Sequence, residues 1–187
     1  MTLRQAQDDR DEPEKIEWQG RFITAKTRGK WEYVSRARGI RAAVILAIDD
    51  ADHVLLVEQY RVPLGRICIE LPAGLIGDGD EAEEDTAAAA RELEEETGYR
   101  AERMEMLGEF WSSPGMVTES YSLLRAHGLT RVGEGGGTAG ENITVHRVAL
   151  SGIAEAVAGW RAAGYAIDTK LLLLLAPGIL GARGQAE

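Results

Sequence analysis

The chain has 187 residues, 44% of them hydrophobic and 28% charged, enough to bury one substantial core and too apolar for a disordered segment. Its 31 acidic residues against 21 lysines and arginines leave a formal charge of −10, which argues against a sequence-independent grip on DNA or RNA. A single cysteine, a polar N-terminus without a secretory signal, and no apolar run of the ~20 residues that span a bilayer together predict a cytoplasmic protein with no membrane association.

In chain order, residues 1–15 are polar and charged and read as a flexible N-terminus. "RFITAK" and "WEYVSR" are rich in aromatic and β-branched residues and flank a "TRGK" turn, so a β-hairpin is predicted. "RAAVILAID" is nearly continuous apolar, the pattern of a strand covered on both faces. "HVLLVEQYR" is a further strand, and "RICIELPAG" another that should end at Pro72 and Gly74. Cys68, inside that apolar run, is expected to be a buried structural thiol.

A helix follows through "TAAAARELEEET" and stops at Gly98, which suits a left-handed cap. "RMEMLGEFW", "YSLLRAHGL" and "ITVHRVAL" predict strands, and the glycine-rich "RVGEGGGTAGEN" a mobile loop. Ser151 is expected to cap a helix through "GIAEAVAGWRAAG". Asp168 is expected to cap a second one, "TKLLLLLA", whose leucines should be wrapped by protein and which Pro177 should end. The sum is a mixed sheet with helices on its faces, an α/β (α+β) arrangement without the regular alternation of a dinucleotide-binding fold.

The charge is concentrated. From Asp78 to Glu96 there are ten acidic residues and one basic one, a local balance of −9. On a helix, Glu92, Glu95 and Glu96 share a face while Glu94 points elsewhere. Like charges so arranged repel unless something cationic holds them, and an oxygen-only set favours Mg²⁺ or Mn²⁺ over zinc. A solvated acidic face is the bland alternative.

The full spacing runs Gly77, five residues, Glu83, seven residues, Arg91-Glu92, two residues, Glu95-Glu96, one residue, then Gly98-Tyr99. This resembles the box of the Nudix hydrolases at every specified position. The resemblance implies a Nudix-type α/β/α sandwich, residues 39–180, preceded by the hairpin arm, residues 16–38, and followed by a tail, residues 181–187. It implies that Glu92, Glu95, Glu96 and the carbonyl of Ala73 bind the metal, with Arg91 and Glu83 holding that face in shape. In similar proteins the box glycine directly follows the "PA" of "ELPAG", so Gly74 and Gly77 are both candidates for that role.

Outside the box, Pro114 in "SSPGMVTES", "VEQYRVPLG", "IELPAG" and "GWRAAGYAIDTKLLLLLA" resemble the ADP-ribose pyrophosphatase branch. That likeness implies hydrolysis of ADP-ribose or a similar nucleoside diphosphate sugar, with a GDP-mannose or broad sugar-nucleotide hydrolase as one alternative and a non-catalytic sugar-nucleotide sensor as another. It implies a catalytic set of Glu141, which would bind metal or act as general base, with Glu95 and Arg91. Glu134 is a second candidate base, because the extra acid of some relatives is Ala139 here. Arg61 would contact phosphate, Glu119 the substrate, and Trp31 the base, although Trp31, Tyr33 and Trp111 are also ordinary core candidates. The resemblance implies a homodimer that exchanges its N-terminal arms. His53, His127 and His146 show no metal-ligand spacing and are assigned to structure.

Overall fold

The computed structural model describes residue 9 and residues 11–36, 41–76, 84–138 and 140–181. Gly77 and Glu83 lie outside them. Three antiparallel strands come first, β1 (Lys15–Gln19), β2 (Ile23–Arg28) and β3 (Trp31–Arg36), in that spatial order. β2 and β3 are the predicted hairpin, with Arg28 opposite Trp31. β1 is an addition: its Ile16 and Trp18 alternate with charged residues, yet the whole strand is exposed and no buried face marks it. This small sheet is tied to the rest through Val34, whose N–H donates to the Met116 carbonyl at 2.9 Å and whose carbonyl accepts from Thr118 at 3.0 Å.

The body is built from β4 (Arg41–Ala47), β5 (His53–Arg61), β6 (Arg66–Glu70), β7 (Ala73–Ile76), helix α1 (Asp85–Thr97), β8 (Tyr99–Arg100), β9 (Arg103–Trp111) and β10 (Ser120–His127). β11 (Thr130–Arg131), β12 (Thr144–Ala149), α2 (Ile153–Ala162), β13 (Ala166–Ile167) and α3 (Leu172–Gly181) complete it. Two mixed four-stranded sheets result, β7-β4-β10-β9 and β12-β5-β6-β13, in which β4–β10 and β6–β13 are the parallel pairs.

Strand periodicity explains the layers. Ala43, Ile45 and Ala47 of β4 pack with Ala88, Ala89 and Leu93 of α1, whereas Val44 and Leu46 face Ile153 and Val157 of α2 and Leu171. β4 is thus covered on both faces, as its unbroken apolar run predicts, and the α/β/α arrangement holds. Leu93 is fully buried, a contribution of ~2 kcal/mol, and Ala88 and Ala89 are small enough to bring α1 down onto the sheet. Cys68 is buried as expected, and burial pushes its thiol up to about 12.

Several local expectations fail for identifiable reasons. The chain does not leave the sheet at Gly74: after Leu71-Pro72 it enters β7, which pairs with the edge of β4 with Gly74 opposite Ala43. Ser151 lies in a 3-10 turn, Leu150–Gly152, and α2 begins after Gly152 with no side-chain cap. Asp168 caps the 3-10 turn Thr169–Leu171 that leads into α3, accepting from the Lys170 N–H at 2.8 Å, and α3 itself runs through Pro177 rather than ending there. Only Leu171 of the leucine run is fully buried; Leu172 and Leu173 are about half exposed. Trp31 and Trp111 are exposed rather than core.

Candidate active site

The acidic face of α1 looks into a cleft of about 1290 Å³. Ala73 and Gly74, at the start of β7, line it together with Glu92, Glu95 and Glu96 of the helix. The Ala73 N–H donates to Glu96 Oε2 at 3.0 Å. Gly74 is needed for a different reason: a Cβ there would collide with Cγ and Cδ of Glu92 and stand 2.5 Å from its Oε1. The glycine of "ELPAG" therefore provides the space that Glu92 occupies.

The electrostatics are those of crowded acids. Glu96 is 7% exposed; burial, reinforced by Glu92 and Glu141, pushes its carboxyl up to about 8 against the opposing effect of the Ala73 N–H. Burial also raises Glu92, with Glu95 and Glu141 adding to the effect and Arg91 opposing it. Arg91 bridges two of the acids, at 2.9 Å from Glu92 and 3.1 Å from Glu95. Among the described residues no three acidic, histidine or cysteine side chains already stand together at metal-clasping spacing. The donor set is nonetheless all oxygen, and Glu96 is a buried acid whose carboxyl is raised to about 8, so added positive charge nearby would favour its ionisation. Both features fit a hard divalent cation, which would be held by Glu92, Glu95 and Glu96.

Basic groups stand around these acids. Arg61, at the end of β5, binds buried Glu70 with two hydrogen bonds of 2.6 and 2.8 Å, yet its side chain is 43% exposed and lines the cleft. Arg36, from β3, pairs with Glu119 at 2.6 Å, and Ser112 Oγ donates to the same carboxylate at 3.2 Å. Lys170 pairs with Asp168 at 2.7 Å and lies over the Tyr121 ring. The cleft thus combines carboxylates for cations with cations for an anionic substrate.

The NUDIX domain model matches residues 38–148, well over half of the chain. The protein belongs to the NUDIX family. It is 39% identical over 89 residues to the ADP-ribose pyrophosphatase of Bacillus subtilis, covering 48% of this chain and 46% of that protein. With the GDP-mannose pyrophosphatase of Cronobacter sakazakii it shares 38% over 157 residues, 79% of this chain and 76% of that one. The chain spans about half the length of the first curated relatives it matches. A crystal structure of an ADP compounds hydrolase superposes with a TM-score of 0.66 at 21% identity, covering 91% and 94% of the two chains, which shows a shared fold.

Within this NUDIX chain the residues expected from the sequence are brought together unevenly. Ala73, Glu92, Glu95, Glu96, Arg91, Arg61, Glu119 and Glu141 all line the one cleft although they come from five separate segments. Trp31 does not; it lies at the hairpin turn, partly exposed and away from the cleft of its own chain. Glu134 pairs with Arg131 at 3.2 Å and also lies off the cleft, which favours Glu141 of the two loop acids. The three histidines each face a carboxylate, Asp49, Glu105 or Glu58, and none of them lines the cleft. The Arg36–Glu119 pair was not legible in advance, because partners 83 residues apart leave no spacing signal.

Proposed function

We propose that the protein hydrolyses the pyrophosphate bond of ADP-ribose or a similar nucleoside diphosphate sugar, giving a nucleoside monophosphate and a sugar phosphate. The observation that carries this is the buried, charge-crowded Glu96 beside Glu92 and Glu141 in a cleft that also holds Arg61. Mg²⁺ or Mn²⁺ bound by Glu92, Glu95, Glu96 and the Ala73 carbonyl would neutralise the diphosphate and lower the pKa of the attacking water. Glu141 accepts that water's proton as its oxygen bonds to phosphorus, and the bridging P–O bond breaks with its electrons going to the departing phosphate. Arg61, held by Glu70, binds a phosphate oxygen. Arg91 keeps Glu92 and Glu95 in place, and Glu119, braced by Arg36, contacts the rest of the substrate.

The names of the relatives support both an adenosine and a guanosine sugar nucleotide. The longer match to the GDP-mannose pyrophosphatase favours keeping GDP-mannose as the second reading. A sensor without turnover would not need Glu92, Glu95 and Glu96 all intact.

The same reading divides the chain into residues 1–15, an arm at 16–38, a catalytic unit at 39–180 and a tail at 181–187. It makes the protein a homodimer joined through the arm, supported by the exposure of Ile16, Trp18, Phe22 and Trp31 on that small sheet. Trp31 would then meet substrate in the partner's cleft. A cytoplasmic setting agrees with the one unpaired cysteine, and no described helix is long and apolar enough to cross a membrane.

The test is incubation with Mg²⁺ and, separately, ADP-ribose, GDP-mannose, UDP-glucose and dNTPs, with the products identified. Release of a monophosphate and a sugar phosphate from a sugar nucleotide supports the reading. Turnover of dNTPs alone, or binding without turnover, refutes it.

A further inference from the structure

The glycine-rich loop is fastened to the helix it faces. The Gly136 N–H donates to the Glu96 carbonyl at 2.8 Å and the Gly137 N–H to the Glu95 carbonyl at 3.0 Å, so the loop terminates α1 by taking up its last carbonyls. On its far side the Ile143 N–H returns to the Gly136 carbonyl at 3.2 Å, with the Ile143 side chain buried. Between these anchors, Glu141 Oε2 accepts two hydrogen bonds from one residue, Thr138: 2.6 Å from its backbone N–H and 3.0 Å from its hydroxyl. The Glu141 N–H donates back to the Thr138 carbonyl at 3.2 Å. Gly137, at φ +77°, must be a glycine, because a Cβ there would collide with Oε2 of Glu141 and stand 3.0 Å from the Ile143 side chain.

We propose that Thr138 is a positioning residue for Glu141, clasping one carboxylate oxygen so that the loop acid is held in register with Glu95 and Glu96 of α1. The proposal rests on the reading of Glu141 as the general base. Both Thr138 donors take Oε2, and among the described residues nothing bonds Oε1, which is therefore left to receive a proton. The clasp replaces swinging of a long side chain in the open cleft with one orientation, and its anchor points are the backbone of the residues whose side chains form the acidic face.

The test uses the full chain with Mg²⁺ and ADP-ribose, and the variants Thr138→Val, Thr138→Ser, Glu141→Gln and the Val/Gln double. Thr138→Val keeps the backbone bond and removes the hydroxyl. Its kcat should fall about 3- to 10-fold, as expected for one lost hydrogen bond, with KM changed by less than about twofold. Thr138→Ser should restore kcat, and Thr138→Val should add nothing in the Glu141→Gln background. Independently of turnover, hydrogen exchange of residues 134–143 in metal-free protein should quicken in Thr138→Val and Glu141→Gln alike while α1 is unchanged. An unaltered kcat in Thr138→Val, a full further loss in the double variant, or unchanged exchange overturns the proposal. If the wild type leaves ADP-ribose intact, kcat is measured on GDP-mannose instead; if it turns over neither sugar nucleotide, the functional reading fails and the exchange result alone decides the clasp. If Glu141→Gln is fully active while Glu96→Gln is dead, hydrolysis stands and this positioning role falls.

Discussion

Gly74→Ala perturbs the site through a single methyl group whose collision partner is known. Strand β7 has ordinary extended backbone at this position, so alanine costs nothing conformationally, and the ladder to Ala43 is unaffected. The new Cβ would stand 2.5 Å from Glu92 Oε1 and closer still to Cγ and Cδ, whereas ordinary contact begins at 3.4 Å. The Glu92 side chain must therefore move by roughly 1 Å or more, a displacement that at a reacting centre costs about 100-fold. Because what yields is the Glu92 side chain from Cγ outward rather than any backbone, the fold should survive. The assay is paired: kcat and KM with Mg²⁺ and the preferred sugar nucleotide, and the thermal midpoint of the same sample. A fall in kcat near 100-fold at an almost unchanged midpoint is expected. Full turnover in Gly74→Ala would refute the claim that Glu92 works from the place where Gly74 admits it, and an unfolded variant would show that the contact is structural.

Other perturbations separate the roles of neighbouring groups. Glu96→Gln should lower kcat by ~100-fold or more, by analogy with losing a transition-state stabiliser, while the protein stays folded. In metal-free protein the same residue sets a pH dependence: its folded carboxyl is raised to about 8 from 4.5, so the stability it contributes is complete below about pH 4.5 and is lost as pH rises through about 8. The wild-type midpoint should fall more across that window than the Glu96→Gln midpoint, in which the raised Glu92 carboxyl still contributes, and thermal melts at a series of pH values would check this. Arg61→Ala removes the bidentate partner of buried Glu70 and should cost ~2 kcal/mol of stability. Adding Glu70→Gln should restore most of that stability in denaturant titrations, yet leave KM raised ~10-fold, since the phosphate contact is still missing.

The strands from Arg41 to Ala149 were readable where burial imposes a pattern: β4 and β5 have unbroken apolar runs because both of their faces are covered. β1 escaped because exposed strands carry no such signature, and β7 because Pro-Ala-Gly looks like a chain break when the demand for a glycine comes from a helix side chain 18 positions later. The acidic face of α1 was legible from helical spacing alone. The clasp of Thr138 on Glu141 was not, since hydrogen bonds three residues apart within a glycine-rich loop require its backbone path to be known. The leucine run misled for the opposite reason: five apolar residues in sequence look like all-round burial, but the structure leaves Leu172 and Leu173 half exposed.

The central claim is that Glu92, Glu95 and Glu96 form a cation site for a diphosphate, and binding of Mn²⁺ followed by electron paramagnetic resonance tests it without relying on turnover. Wild-type protein titrated with Mn²⁺, with a non-hydrolysable methylene analogue of ADP-ribose present, should bind the ion. Glu96→Gln should bind it at least about tenfold more weakly at the same protein concentration. Equal Mn²⁺ binding by the two proteins would contradict the account.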